Sequence, residues 1–470
     1  MAAGSPRPKR WKIVALVALA AIAALAATAY FLLRDEPVVY TDAADRYKYG
    51  SFGTEVDSMP FPIWEALPDV CPARLPGGWP SLGLIYEKGH DEPIGVSRRR
   101  VSGNDRMGVN CAMCHTGSVR EAPGAPAQVV LGMPNQQLDF GKYVRFILDC
   151  VNDPAFTPDN VVAAMRTHHE VSGLRAFFYR QAVIPTVKRL TAVKAPQFAW
   201  YADKPEPGPG RLDTPNSLKR MLGLSISADS VGTVEFPSVW NQSARGTKYR
   251  HWDANSPSLT ERDHITAAIA GATEASVSRD ELVWIETWLD QLPAPKYPFA
   301  IDQARAQQGA QLFAGHCATC HVQRALDITP VALVASDRSR LDALSDELVG
   351  RMNAFGSGQG GQSAHYRKTA GYSNVLLDGI WARGPYLHNG SVPTVLDLLT
   401  APERRPAVFY TGSNVFDQTR MGFVSTGGNP DAGTFRFDTR LPGNGNGGHL
   451  YGTQLSDDEK RSLIEYLKTR

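Results

Sequence analysis

Cysteine is scarce in this 470-residue chain: there are six, too few for a disulfide-stabilised scaffold. An excess of charge of one sign is lacking too. Lys and Arg number 49 against 47 Asp and Glu, a formal net charge of +2, which excludes a nucleic-acid binder acting through bulk charge. Long low-complexity tracts are missing, and 43% of the residues are apolar, so wholesale disorder is excluded. Beyond the first 33 residues no run is long and apolar enough to span a bilayer. The length allows roughly two to four domains of about 100–200 residues.

The early run is Ile13–Leu33, without a charge and broken mainly by Thr28. As a helix it would measure about 31 Å, close to the hydrocarbon thickness of a membrane. Arg7, Lys9, Arg10 and Lys12 precede it, which by the positive-inside rule keeps the N-terminus in the cytoplasm. The expectation is an uncleaved single-pass inner-membrane anchor over 13–33, with the functional part in the periplasm. The competing reading is a signal peptide cut at Ala27-Thr28-Ala29, although Tyr30–Leu33 carry the apolar run past that point. In an exported chain, Cys71 and Cys150 either form a disulfide or remain as two buried, unpaired thiols.

The other four cysteines fall in two pentads, Cys111-Ala112-Met113-Cys114-His115 and Cys317-Ala318-Thr319-Cys320-His321. The spacing suits covalent haem c: two thiols form thioethers to the vinyl groups, and the adjacent imidazole binds the iron. A redox dithiol does not require the histidine, and zinc would leave the downstream ligands unexplained. Two covalently attached haems are therefore expected, with His115 and His321 as iron ligands.

The opposite ligand decides what each iron does. For the second haem, His449 on the flexible-looking loop Gly443–Gly448 is a candidate, with His365, His388 and Met421 as rivals. For the first, no histidine lies between His115 and His168. Met133 is the nearest candidate ligand, and an open distal face is the expectation. Trp240, His251 and Trp252 are candidates for the first haem's distal pocket, as ligand gates, electron relays or proton donors. Aromatics in such a cluster also simply pack against haem. His388 is a candidate for a contact between the haems, or a brace for a turn.

Helix caps suggest a diverged repeat. Ser278-Arg279-Asp280-Glu281 and Ser456-Asp457-Asp458-Glu459 both read as capping boxes that open apolar-periodic helices. Each helix closes a unit begun by one pentad. The expected fold class is mainly α: two cytochrome c-like haem domains with long irregular loops, plus the transmembrane helix. The expected division is 1–12 cytoplasmic, 13–33 anchor, 34–95 irregular extension, 96–292 first haem domain, 293–298 Pro-rich linker and 299–470 second haem domain. Thr157–Arg189 reads as helical with a break at Pro185, and 356–361 as a surface loop.

The two pentads with Trp381-Ala382-Arg383-Gly384-Pro385-Tyr386-Leu387-His388-Asn389-Gly390-Ser391 resemble the bacterial di-haem cytochrome c peroxidase superfamily. Tyr49-Gly50-Ser51, Gly210-Arg211-Leu212-Asp213, Phe236-Pro237-Ser238-Val239-Trp240 and the segment Leu441–His449 are similar to its latex-cleaving rubber oxygenase branch. The resemblance implies a reactive first haem on His115 and a bis-histidinyl second haem on His321 and His449. The function expected on that basis is a di-haem oxidoreductase of the peroxidase type. Its electrons would come from a small cytochrome c or cupredoxin, and its substrate would be peroxide. The alternatives are dioxygen-dependent cleavage or oxidation of an organic substrate, and a non-enzymatic electron carrier.

Overall fold

A computed structural model describes residues 10–36, 38–242, 251–322, 327–358, 365–428 and 433–470. The N-terminal run folds as one helix, Arg10–Leu33, in keeping with its alanine content and lack of Gly and Pro. Among the described residues no helix is long and apolar enough to cross a membrane. This corrects the expected transmembrane segment and the single-pass inner-membrane location.

The mainly α class is corrected as well. About 43% of the chain is helical, and six two-stranded antiparallel sheets fill segments between the helices. These strands are two to six residues long, and few alternate cleanly between buried and exposed. No period of two therefore announced them.

Two of the hairpins position the first pentad. Val96–Val101 pairs with Asn104–Val109 and delivers the chain to Cys111. Thr116–Val119 pairs with Gln128–Leu131 and leads away from His115. Beside them the helices Phe61–Val70 and Phe140–Val151 are joined by a Cys71–Cys150 disulfide. The core there is aromatic: Trp64 stacks on Trp79 at 4.6 Å and donates its Nε1–H to Tyr143 Oη at 3.1 Å. The segment 34–95, expected as irregular, contributes the helices Ala43–Tyr49 and Phe61–Val70 to this packing. Pro185 does not break its helix. It sits in the first turn of Ile184–Lys194, preceded by a π-helical turn, Tyr179–Val183, which accommodates its missing N–H.

The two closing helices begin differently. Ser456 and Glu459 form a complete capping box on Asp457–Leu467. Ser278 caps Arg279–Gln291, but the Glu281 carboxylate turns away to take both Nε and Nη2 of Arg46, at 3.0 and 2.8 Å. Leu282, Ile285 and Leu289 pack on Tyr47, Tyr49 and Phe52. Leu463, Ile464 and Leu467 pack with Phe313 and Trp381. The helix Gln303–His316 crosses Asp457–Leu467 so closely at Gly309 that a Cβ there would lie 2.0 Å from the Ser462 carbonyl oxygen. Val119, Val130, Met133 and Trp240 of the first half belong to this same second core. The halves thus share packing across the Pro-rich segment. Of the expected 356–361 surface loop, 356–358 belong to the helix Asp346–Gly358, and 359–361 lie outside the described residues.

Candidate functional site

Each pentad presents its histidine in the same way. His115 Nδ1 lies 2.8 Å from the Pro237 carbonyl oxygen, and His321 Nδ1 lies 2.8 Å from that of Val375. A carbonyl only accepts, so each Nδ1 carries the proton and each Nε2 keeps a lone pair for a metal. This backbone brace is the usual outer contact of a metal-binding imidazole. The turn Cys111–Met113 is capped by the Asn110 side chain, which accepts from Ala112 N–H at 2.9 Å. Tyr47 donates to the His115 carbonyl at 2.9 Å, and Asn135 holds the Met113 carbonyl at 3.1 Å. Burial pushes the Cys111 and Cys114 thiols up to about 12 and Cys317 up to about 11. Among the described residues no group of three or more His, Cys, Asp or Glu is arranged to hold a metal ion.

At the second pentad a cavity of about 200 Å³, mostly apolar, is lined by Cys317, Cys320, His321 and His449. The His321 and His449 ring centroids are 6.4 Å apart, with planes inclined at 42°. Both rings line the same cavity, so His321 and His449 are the residues that would hold an iron there. His449 Nδ1 is buried and has no hydrogen-bond partner among the described residues. Burial, with His321 and Arg405 nearby, holds His449 down at about 4, so the ring is neutral and able to coordinate. The cavity, the thiols and the two imidazoles fit a haem c.

The loop that carries His449 is built to place it. Gly448 has φ +75, and a Cβ there would lie 2.3 Å from the Val334 carbonyl oxygen. His449 itself takes a left-handed φ of +50 and donates its N–H to that same oxygen at 2.8 Å. Arg405 bonds the Asn446 carbonyl at 2.5 Å and that of His449 at 3.4 Å. Asn389 donates to the carbonyls of Gly443 and Gly445 at 3.1 and 3.0 Å. The segment read as a flexible surface loop is thus partly buried and fastened. Of the rival ligands, His388 also lines the cavity. His365 instead pairs with Glu261 at 2.8 Å, and Met421 is packed in the second core.

Of the three residues expected around the first haem, Trp240 and Trp252 lie elsewhere. Trp240 is fully buried in the second core, its Nε1–H donating to the Asp378 carbonyl at 3.1 Å. Trp252 lines the second cavity and donates to the Glu235 carbonyl at 2.9 Å. His388 lines it too, stacked on Tyr372 at 4.0 Å. Since the Tyr372 hydroxyl donates to the Asp337 carbonyl at 2.6 Å, His388 Nε2–H donates to the tyrosine oxygen at 3.0 Å. Burial, with Arg340 and Arg211 nearby, holds His388 down at about 3. His251 follows the undescribed residues 243–250 with φ +68; burial and the charges of Arg340 and Arg262 hold it at about 3. Met133 sits in the second core.

Several contributors went unnoticed in the sequence. Arg262 and Asp263, an ion pair at 2.7 Å, act electrostatically on Cys111. Arg262 opens no motif; only its place beside the buried Asp263 in the helix Leu259–Ile269 marks it. Glu235 and Arg383 also line the second cavity, and the Arg383 guanidinium is bound to the Asp378 carboxylate at 2.7 Å.

Residues 371–410, which hold Tyr372, Val375, Arg383 and His388, match the family model described as RoxA-like, cytochrome c-like. Over those 40 residues the chain is similar to that family. Such a domain implies covalently bound haem c and is consistent with an oxidoreductase. Two curated proteins of Sinorhizobium fredii (strain NBRC 101917 / NGR234) are similar as well. Uncharacterized protein y4iM is 30% identical over 281 residues, 50% of this chain and 64% of that protein. Uncharacterized protein y4iJ is 44% identical over 107 residues, 21% of this chain and 17% of that protein. The chain therefore spans less than two thirds of the length of either relative.

Proposed function

We propose that the protein is a di-haem c-type oxidoreductase of the peroxidase type. One haem is held by Cys317, Cys320, His321 and His449 and handles electrons. The other is held by Cys111, Cys114 and His115 and meets the small-molecule oxidant. The observation that carries this reading is that His321 and His449 line one cavity, their ring centroids 6.4 Å apart, so that both would hold a single iron. When bound, the haems would supply one-electron redox chemistry; the chain supplies ligation, dielectric and protons. Pro237 and Val375 fix the tautomers of His115 and His321, leaving Nε2 of each as the atom that would bind iron. Reduction of peroxide to water needs two electrons, from a small donor cytochrome or cupredoxin, and two protons. The RoxA-like match favours a second reading, in which dioxygen is used to oxidise or cleave an organic substrate.

Electron paramagnetic resonance of the ferric holoprotein tests the shared part. The expected spectrum has one low-spin signal, indifferent to cyanide, and a second centre that binds it. Two cyanide-indifferent low-spin centres would overturn the enzyme reading in favour of an electron carrier. Turnover of hydrogen peroxide with a reduced donor, against oxygen uptake with an organic substrate, separates the two chemistries.

A further inference from the structure

Glu235 is the acidic residue of the second cavity. It ends the short strand Thr233–Glu235, pairs directly with Arg211 across the sheet, and is 2% exposed. Its Oε1 is buried and has no hydrogen-bond partner among the described residues. Arg211 Nε on the facing strand is left unpartnered in the same way, while its other nitrogens serve the Pro207 carbonyl and Asn444. The carboxyl lies against the turn His388-Asn389-Gly390: a Cβ on Gly390 would be 3.8 Å from the carboxyl carbon. The residue's backbone is bonded on both sides, to His388 and to Trp252. The residue is thus held by its backbone while Oε1 is left buried without a hydrogen-bond partner among the described residues.

We propose that the Glu235 carboxyl is the proton-binding group that accompanies electron loading of the second haem, an inference that rests on the bis-histidine reading of that site. Adding one electron to a centre walled in apolar side chains changes its charge by one where the dielectric is low, and a nearby proton offsets that change. The other ionisable groups around Glu235 are poor acceptors. Arg211 is already protonated on the paired strand. Arg340, on the helix Ser339–Ala343, is bound to Asp253, and Lys219, on Thr214–Met221, is bound to Ser230. Asp213 receives the N–H groups of Asn216 and Gly232. Asp337 accepts from the backbone of Ser339 and Gly445. His388 and His251 are neutral and disfavour a proton. Tyr372 and Tyr386 keep their hydroxyls bonded to the Asp337 and Met421 carbonyls.

Burial raises the Glu235 carboxyl well above the ordinary carboxylate range, opposed by Arg211. The positive charge of an oxidised centre favours the carboxylate. Once an electron arrives from the donor protein, that charge is gone and one proton from solvent binds Glu235. Two residues beyond the end of this strand, the Pro237 carbonyl braces His115. The protonation state at 235 is thereby two residues from the brace of the other site's ligand.

Spectroelectrochemical titration of the low-spin centre in the holoprotein, over a series of pH values, tests this. In the wild type each tenfold fall in proton concentration should lower the midpoint potential, by about 59 mV within the linked window. Glu235→Gln should flatten that window, and Glu235→Asp should retain it. Reduced-minus-oxidised infrared spectra should show a protonated carboxyl band in the wild type, lost in Glu235→Gln. An unchanged slope in Glu235→Gln, or a wild type with no such band, overturns the proposal. If Glu235→Gln fails to mature, the wild-type band and the aspartate variant decide. A wild type lacking the low-spin signal overturns the bis-histidine reading and this proposal together, whereas a low-spin wild type with no band overturns only the role of Glu235.

Discussion

Arg211 donates from Nη2 to Asn444 Oδ1 at 2.7 Å, both side chains buried, and so ties a strand of the first half to the loop that carries His449. Asn444 in turn donates to the Asp438 carbonyl at 3.0 Å. The ligand loop of one site is therefore fastened by residues of the other half. Asn444→Ala removes both bonds and leaves the guanidinium short of a partner. A hydrogen bond to a charged group contributes about 1.5–3 kcal/mol, so a loss of that order is expected in denaturant unfolding. Part of the low-spin signal should also become high-spin. An unaltered unfolding midpoint and spectrum would show that the loop is held by its other bonds alone.

His449→Ala should convert the low-spin centre to high-spin while both thioethers stay intact, because covalent attachment depends on Cys317 and Cys320. Free imidazole should restore the low-spin spectrum by entering the vacated position. Haem staining of a denaturing gel, read beside the spectrum, separates loss of the ligand from loss of the haem. A low-spin spectrum that survives the substitution would pass the role to His388, which lines the same cavity.

Gly448→Ala tests the loop without touching a ligand. The added Cβ meets the Val334 carbonyl at 2.3 Å, and φ +75 disfavours any side chain. The loop must shift, so a mixture of low-spin and high-spin forms is expected, with a lowered melting temperature. Gly447→Ala, at a position where a Cβ would be 3.6 Å from its nearest neighbour, should behave as wild type.

What was legible in the sequence was local. The pentads are read at sight because the two thiols and the imidazole act within five residues. Ser456 and Glu459 announce their helix because a capping box closes over three. The braces on the two imidazoles are not local: Pro237 is 122 residues from His115, and Val375 is 54 from His321. Trp252 reads from its sequence neighbours as part of the first haem's surroundings, yet packing across the shared core turns it toward the second cavity, beside His388. Glu235 carried no motif, since a single glutamate shows its chemistry only when burial and a missing partner are known. Glu281 was expected to finish a capping box and instead binds Arg46, 235 residues away.

Removing the Cys71–Cys150 bond should destabilise the first half. The residues are separated by 79 positions, and closing a loop of that size reduces the entropy of the unfolded chain by about 4 kcal/mol in the loop-closure model. Cys71→Ser with Cys150→Ser, or a reducing agent, should lower the melting temperature. Haem attachment at Cys111 and Cys114 should weaken before that at Cys317 and Cys320, because the linked helices pack in the core that holds Cys114. Mass spectrometry of haem-bearing peptides from each half measures this. Equal loss from both would show that the shared core, and not the disulfide, sets the stability.

Acid should loosen the closing helix Asp457–Leu467. The Glu459 carboxylate accepts from the Ser456 N–H and hydroxyl, each at 2.8 Å, and these bonds hold it below its ordinary value. Asp458 is held low by Arg305 and then Arg461. A carboxyl lowered in the folded state gives stability that is full above its unfolded value and is lost as pH falls through the folded one. Both groups are at the surface, so the effect is confined to fraying of the first turn and shrinks with added salt. Hydrogen exchange of the segment should accelerate as pH falls through the carboxylate range, after correction for the intrinsic rate. Glu459→Gln, which cannot ionise, should be looser at neutral pH and respond less to acid. If the variant and the wild type show the same corrected acid response, Glu459 is not the group that fastens the helix.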